Sequence, residues 1–184
     1  MNARTRSSAR LPVSTLRERA RRLRLVLTDS DGVLTDAGVF YSTDGEVMKR
    51  FSIRDGMGVE RLRADGVETA IMSGEVSGSV RRRAEKLAMP FLYLGIKDKK
   101  NHLDVVLQET GFSLDQLAYI GDDVNDLEVI LAIRQHGITA APADAQPEIA
   151  RAVQYRCKKN GGAGAFREFA EWILSLRTAS ERSR

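Results

Sequence analysis

Leu25-Val-Leu-Thr28 runs directly into Asp29-Ser-Asp31-Gly-Val-Leu-Thr-Asp36, an apolar segment that ends on two carboxylates spaced i, i+2. A buried strand that delivers acids at its carboxyl end is how open α/β sheets place reactive groups. Two such carboxylates can divide phosphate transfer between them, one oxygen attacking phosphorus while the other handles the leaving-group proton. An Asx turn closing a strand is the plain structural alternative. The balance is tipped by a second acidic cluster, Gly121-Asp-Asp-Val-Asn-Asp126, which also follows an apolar run, Leu117-Ala-Tyr-Ile120. Two acidic strand ends imply a metal.

Outward from this segment, strand-like runs at Val67 to Met72, Phe91 to Leu94, Gly137 to Ala141 and Gln154 to Cys157 alternate with helical stretches. The helical stretches lie near 56–65, 76–88, 99–110, 124–134, 146–152 and 163–176. Such alternation predicts an α/β fold, a Rossmann-like doubly wound parallel sheet with helices on both faces. Residues 38–53 break the pattern: two alternating segments divided by Asp44-Gly45 predict a β-hairpin inserted after the aspartate pair, standing over the strand ends as a flap. No room is left for a cap domain.

The chain has 184 residues, 42% hydrophobic and 29% charged, which suits one domain with a full core. Its formal charge of +4 is unevenly spread, because residues 1–24 carry eight arginines against the single acid Glu18. The remainder is net acidic, so the charge argues against a nucleic-acid partner for the domain. Residues 1–22 are read as an arginine-rich extension, 23–176 as the domain and 177–184 as a tail, with the first ten residues mobile and Ser14 to Leu23 a short helix. A transit peptide or an RNA-binding arm is the alternative for the extension. No segment reaches the about 18 apolar residues of a membrane span, and the single cysteine, Cys157, excludes an internal disulfide, so the expected location is cytoplasmic.

If the strands are parallel, residues just past their carboxyl ends share one edge of the sheet. That edge would gather Asp29 and Asp31, Ser73, a lysine of Lys97-Asp-Lys-Lys100, and Asp122. Phosphoryl transfer needs such a set: a nucleophile, a proton donor, a hydroxyl and a cation for the equatorial oxygens, and a carboxylate for Mg²⁺. Singly, Ser73 could cap a helix and the lysines could be a solvated face.

The combination Asp29-x-Asp31-Gly-Val-Leu-Thr-Asp, Ser73-Gly, Lys99 and Gly121-Asp-Asp-x-x-Asp126 resembles the haloacid dehalogenase (HAD) phosphatase superfamily. The hairpin, Arg54-Asp-Gly and the late Lys158-Lys-Asn-Gly-Gly-Ala-Gly segment are similar to its small capless branch. That branch holds 3-deoxy-manno-octulosonate 8-phosphate and 2-keto-3-deoxynononate 9-phosphate phosphatases and the C-terminal domains of some acylneuraminate cytidylyltransferases. The resemblance implies Asp29 as the nucleophile forming an aspartyl phosphate, Asp31 as acid and base with its carbonyl on Mg²⁺, and Asp122 as the further metal ligand. Asp123 and Asp126 would order metal-bound waters and Lys99, the lysine four residues after Gly95, while Ser73 supplies the hydroxyl.

The implied substrate is a phosphorylated 2-keto-3-deoxy sugar acid, and the two chain lengths divide the signals. Gly74-Glu75 with Lys86 eleven residues beyond Glu75 resembles the nine-carbon enzymes, whereas Phe51 to Gly56 resembles the eight-carbon ones. The balance leans to nine carbons, with Arg54 and the Lys158-Lys159 pair as candidates for the substrate carboxylate. The resemblance also implies a homotetramer in which the hairpins line a channel and Gly161 to Gly164 reaches an adjacent site. A non-catalytic oligomerisation module of the cytidylyltransferase type and a receiver domain are the rival readings.

Overall fold

The structure, a computed structural model, describes residues 11–178. The expected mobile first ten residues and the tail from 179 onward lie outside the described residues. Six strands form one parallel sheet: β1 (Leu25–Thr28), β4 (Glu68–Ser73), β5 (Phe91–Leu94), β6 (Leu117–Ile120), β7 (Ile138–Ala141) and β8 (Tyr155–Arg156), in the order β5-β4-β1-β6-β7-β8. All four residues of β1 are buried, as expected of a central strand covered on both faces. Alternation along the strands sends Val26, Ile71, Ala118 and Ile120 to one face, against α1 (Val13–Arg22), α2 (Ile53–Ala64), α3 (Gly78–Lys86) and α7 (Ala165–Thr178). Leu25, Leu27, Met72 and Tyr119 pack on the other, against α4 (Leu103–Thr110), α5 (Leu127–Arg134) and α6 (Pro147–Ala152).

From β1 the chain moves outward to β4 and β5, then returns to build β6, β7 and β8 on the opposite side. The reversal lies between β1 and β6. It opens a crevice at their carboxyl ends because the two connections leave toward opposite sides, and there the two acidic motifs meet.

The inserted hairpin is β2 (Phe40–Ser42) with β3 (Gly45–Met48). Ser42 lies opposite Gly45, so the turn residues are Thr43-Asp44 rather than Asp44-Gly45; Gly45 follows at φ +114°, a conformation open to glycine. Phe40, Tyr41, Val47 and Met48 are exposed on it. The helix expected from 99 begins at Leu103, because Asp98 accepts from the Asn101 backbone and side-chain amides and holds 99–102 in a turn. Helix α1 is fastened from both sides: Arg19 donates to the carbonyls of Arg134, Gln135 and Gly137, and Arg177 of α7 donates to that of Ala20. Guanidinium groups thus add donors to carbonyls at helix ends. No helix among the described residues is long and apolar enough to cross a membrane.

Candidate active site

Thr28 lies opposite Ile71 on β4 and Ile120 on β6, so Asp29 is the first residue past the centre of the sheet edge. Its amide donates to the carbonyl of Ile120, and its Oδ1 accepts from the Ser30 amide at 2.7 Å. Its Oδ2 lies 2.9 Å from Lys99 Nζ, which also donates to Asp126 Oδ1 at 2.6 Å. Lys99 is 1% exposed, whereas Lys97 sits on the surface bound to Glu75 at 2.8 Å and Lys100 is exposed. Only one cation of the lysine run turns inward.

Asp126 is fully committed to positioning. Its Oδ1 accepts from Lys99 and from the Tyr119 hydroxyl at 2.6 Å, and its Oδ2 accepts from the Asp122 amide at 2.9 Å. Asp122 is different: its Oδ1 is buried and has no hydrogen-bond partner. Carboxylate oxygens of Asp29, Asp122 and Asp126 lie within 4.8 Å of one another. Gly32 approaches so closely that a Cβ there would fall 1.9 Å from Asp122 Oδ2, so the loop after β1 and the loop after β6 are pressed together.

This crowding of carboxylates has an electrostatic cost. Burial, then the charge of Asp126, raises the Asp29 carboxyl to about 7 against the opposing pull of Lys99. Burial, with Asp29, Asp126 and Asp123, lifts Asp122 to about 8. Burial alone would pull the Lys99 ammonium down, but Asp29 and Asp126 outweigh it and its pKa rises. One lysine does not balance three acids, and an orphaned Asp122 oxygen beside the Asp29 carboxylate fits a further cation with a preference for oxygen ligands.

Ser73 ends β4 at 2% exposure, its Oγ accepting from the Glu75 amide at 3.3 Å and its own proton free. Gly74 follows on the same edge, 3.9 Å from Asn125 Nδ2 at its Cβ position. Asp31 pairs with a different lysine: both of its oxygens are held by Lys49 Nζ, at 2.7 and 2.6 Å, and Thr35 donates to Oδ1 at 3.2 Å. Asp123 is exposed and caps the turn before α5. Arg54 is exposed in the first turn of α2, lining a cleft of about 390 Å³ with Arg50, Ser52, Ile53, Gly162 and Ala163.

Lys86 occupies the last turn of α3, roughly 12 Å along the axis from the start of the helix at Gly78. Lys86 is exposed there, and Glu75 pairs with Lys97. The start of the Gly161 to Gly164 segment packs on its own chain: a Cβ at Gly161 would lie 1.9 Å from the Gly32 carbonyl oxygen, and Gly162 donates to Val33. Asp55 secures it by accepting from the amides of Gly164 and Arg167.

Lys49 and Tyr119 escaped the sequence reading. Lys49 and Arg50 are adjacent cations at the end of a hairpin, and nothing in the pattern says that the first turns inward, at 1% side-chain exposure, and the second outward, at 64%. Tyr119 carried a usable signal, because a hydroxyl inside an otherwise apolar buried strand needs a partner.

No family model matches the sequence. The chain is 35% identical over 165 residues, 90% of each sequence, to the 3-deoxy-D-manno-octulosonate 8-phosphate phosphatase of Haemophilus influenzae. Its structure is similar to the same enzyme from Moraxella catarrhalis, solved with a magnesium ion, a phosphate ion and KDO: TM-score 0.82, 32% identity, 89% of this chain and 92% of that one. A HAD-superfamily subfamily III A hydrolase of Legionella pneumophila matches with TM-score 0.82 and 33% identity, over 89% and 88% of the two chains. With its parallel α/β sheet and its acids at the switch point, the chain belongs to the 3-deoxy-D-manno-octulosonate 8-phosphate phosphatase family of the HAD superfamily.

Proposed function

We propose that this phosphatase removes the terminal phosphate of 3-deoxy-D-manno-octulosonate 8-phosphate with Mg²⁺ bound, through an aspartyl phosphate on Asp29. The observation that carries the reading is the Asp29–Lys99–Asp126 ion-pair chain beside the unpartnered Asp122 oxygen. Asp29, Asp122 and the Asp31 carbonyl are the residues that would hold the metal, and Asp126, saturated by four donors, would orient Lys99 and the loop. Bound there, Mg²⁺ would offset phosphate charge and lower repulsion between an anionic nucleophile and its target.

In the first half-reaction an Asp29 oxygen forms a bond to phosphorus as the phosphorus–oxygen bond to C8 breaks, and Asp31 delivers its proton to the departing oxygen. In the second, Asp31 takes a proton from water as the water oxygen attacks phosphorus, and the Asp29–phosphorus bond breaks to release inorganic phosphate. Lys99 and the Ser73 hydroxyl are placed to bind the equatorial oxygens. Arg54, which forms no ion pair among the described residues, is the candidate for the substrate carboxylate, with Gly74 and Glu75 at the rim.

We favour the eight-carbon acid over the nine-carbon one on the Phe51 to Gly56 stretch, which resembles the eight-carbon enzymes. The relatives' names point the same way. A homotetramer remains part of the proposal. Exposed Phe40, Tyr41, Val47 and Met48 give the flap more apolar surface than an isolated hairpin buries, and a second copy would cover it and close an otherwise open site.

The test is a kcat/KM comparison on the octulosonate 8-phosphate and the nononate 9-phosphate, with Asp29→Asn as control. The eight-carbon ester should be the better substrate, and Asp29→Asn should lose roughly 10⁴-fold or more, the scale of removing one member of a catalytic unit. Retained turnover in Asp29→Asn would sink the nucleophile assignment and reopen the non-catalytic module. Preference for nine carbons would sink the substrate assignment alone.

A further inference from the structure

The flap does more than overhang the site: its last residue enters it. Lys49 follows β3 directly, and its side chain is 1% exposed. Its ammonium bridges both oxygens of Asp31 at 2.7 and 2.6 Å and lies 3.7 Å from Glu46 Oε2 of the same hairpin. Glu46 Oε1 in turn accepts from the Ser77 hydroxyl at 2.5 Å, and Ser77 caps the start of α3. A continuous chain, Ser77–Glu46–Lys49–Asp31, thus joins the helix after β4 to the carboxylate after β1 by way of the flap.

A buried lysine costs desolvation that only close, well-directed partners offset, so this geometry is strongly specified. Asp31 has few other restraints. Its remaining side-chain contact is the Thr35 hydroxyl at 3.2 Å, and it makes none of the contacts that fix Asp29 and Asp126. An aspartate on a loop samples several χ1 wells unless its oxygens are held. Lys49 holds both oxygens, but each carboxyl oxygen has a second lone-pair site, so Oδ2, which Thr35 leaves open, can still face a leaving group.

We propose that Lys49 is the positioning residue for Asp31, fixing the carboxyl in the orientation from which it reaches the leaving-group oxygen, so that proton delivery depends on the flap being seated. The proposal rests on the reading of Asp31 as proton donor. Lys49 itself touches neither substrate nor metal. Its loss leaves Asp29, Lys99 and Asp122 in place but lets the donor wander, and about 1 Å of misplacement can cost on the order of 10²-fold.

The test is a series of aryl phosphates of nearly constant size, from p-nitrophenyl through phenyl to p-methoxyphenyl phosphate, measured as kcat/KM. This parameter reports steps through release of the phenol. A good leaving group departs without a proton and a poor one needs it, so loss of an oriented donor steepens the dependence on leaving-group acidity. Lys49→Met should stay within about threefold of the native enzyme on p-nitrophenyl phosphate and fall roughly 10²-fold on p-methoxyphenyl phosphate, the scale of general acid catalysis. Lys49→Arg, which can hold both oxygens with a guanidinium fork, should recover most of the loss. A flap that is merely displaced would lower all the esters by the same factor, and parallel plots for Lys49→Met and the native enzyme would overturn the proposal. Asp31→Asn separates the two ideas. If it steepens the plot and Lys49→Met does not, Lys49 has no positioning role; if Asp31→Asn does not steepen it, the proton-donor reading fails and this proposal with it.

Discussion

Replacing Lys99 by Met would remove the one buried cation that two carboxylates share. Its side chain is 0% exposed and its ammonium lies 2.9 Å from Asp29 and 2.6 Å from Asp126, themselves nearly or fully buried. Breaking a buried pair by deleting one partner costs about 3–5 kcal/mol, because the surviving charge is left in a poor dielectric. For a chain of this length that is a melting point lower by roughly 6–20 °C. The loss should depend on pH. Burial raises Asp29 to about 7 with Lys99 opposing the shift, so without the lysine it keeps its proton to higher pH instead of standing as a buried anion. A carboxyl whose folded pKa is raised loses stability as pH climbs from its unfolded value through its folded one. Lys99→Met should therefore approach the native protein near pH 5 and fall furthest behind near pH 8. Calorimetry or thermal denaturation by circular dichroism without Mg²⁺, from pH 5 to 8, would measure this. A melting point within 2 °C of the native protein at pH 8, or a deficit that shrinks as pH rises, would refute the argument that Lys99 neutralises this cluster.

The raised carboxyls also govern metal binding. Asp29 and Asp122 sit at about 7 and about 8 in the metal-free chain, so at pH 6 Mg²⁺ must displace protons from both; saturating Mg²⁺ should raise the melting point more at pH 8 than at pH 6, and an equal rise would contradict the ligand assignment. On the flap, Phe40→Ser with Tyr41→Ser should reduce an assembly larger than a dimer to smaller species in light scattering. The same pair should lower kcat/KM on the sugar phosphate far more than on p-nitrophenyl phosphate, and an unchanged assembly would remove the hairpins from the interface.

The order of strands and helices was legible because it depends on local pattern. Leu25–Thr28 and Leu117–Ile120 are mostly apolar runs, as strands buried on both faces are, and Phe91–Leu94 is an apolar run at the sheet edge. Once those strands are parallel, the positions of Asp29, Ser73 and Asp122 at one edge follow from chain direction alone. The family resemblance singled out Lys99, four residues after Gly95, although it took the folded chain to show Lys97 turned to solvent. Tertiary structure decided everything that depends on which way a side chain turns or how far a helix carries it. Glu75 precedes α3 and Lys86 ends it, and only the fold shows that Glu75 pairs with Lys97. Asp126 and Asp122 belong to one short acidic run, but Tyr119 and Lys99 saturate the first and leave the second with a bare oxygen. Lys49 reaches Asp31 because a hairpin folds back across 18 residues of chain, a long-range contact that no local periodicity encodes.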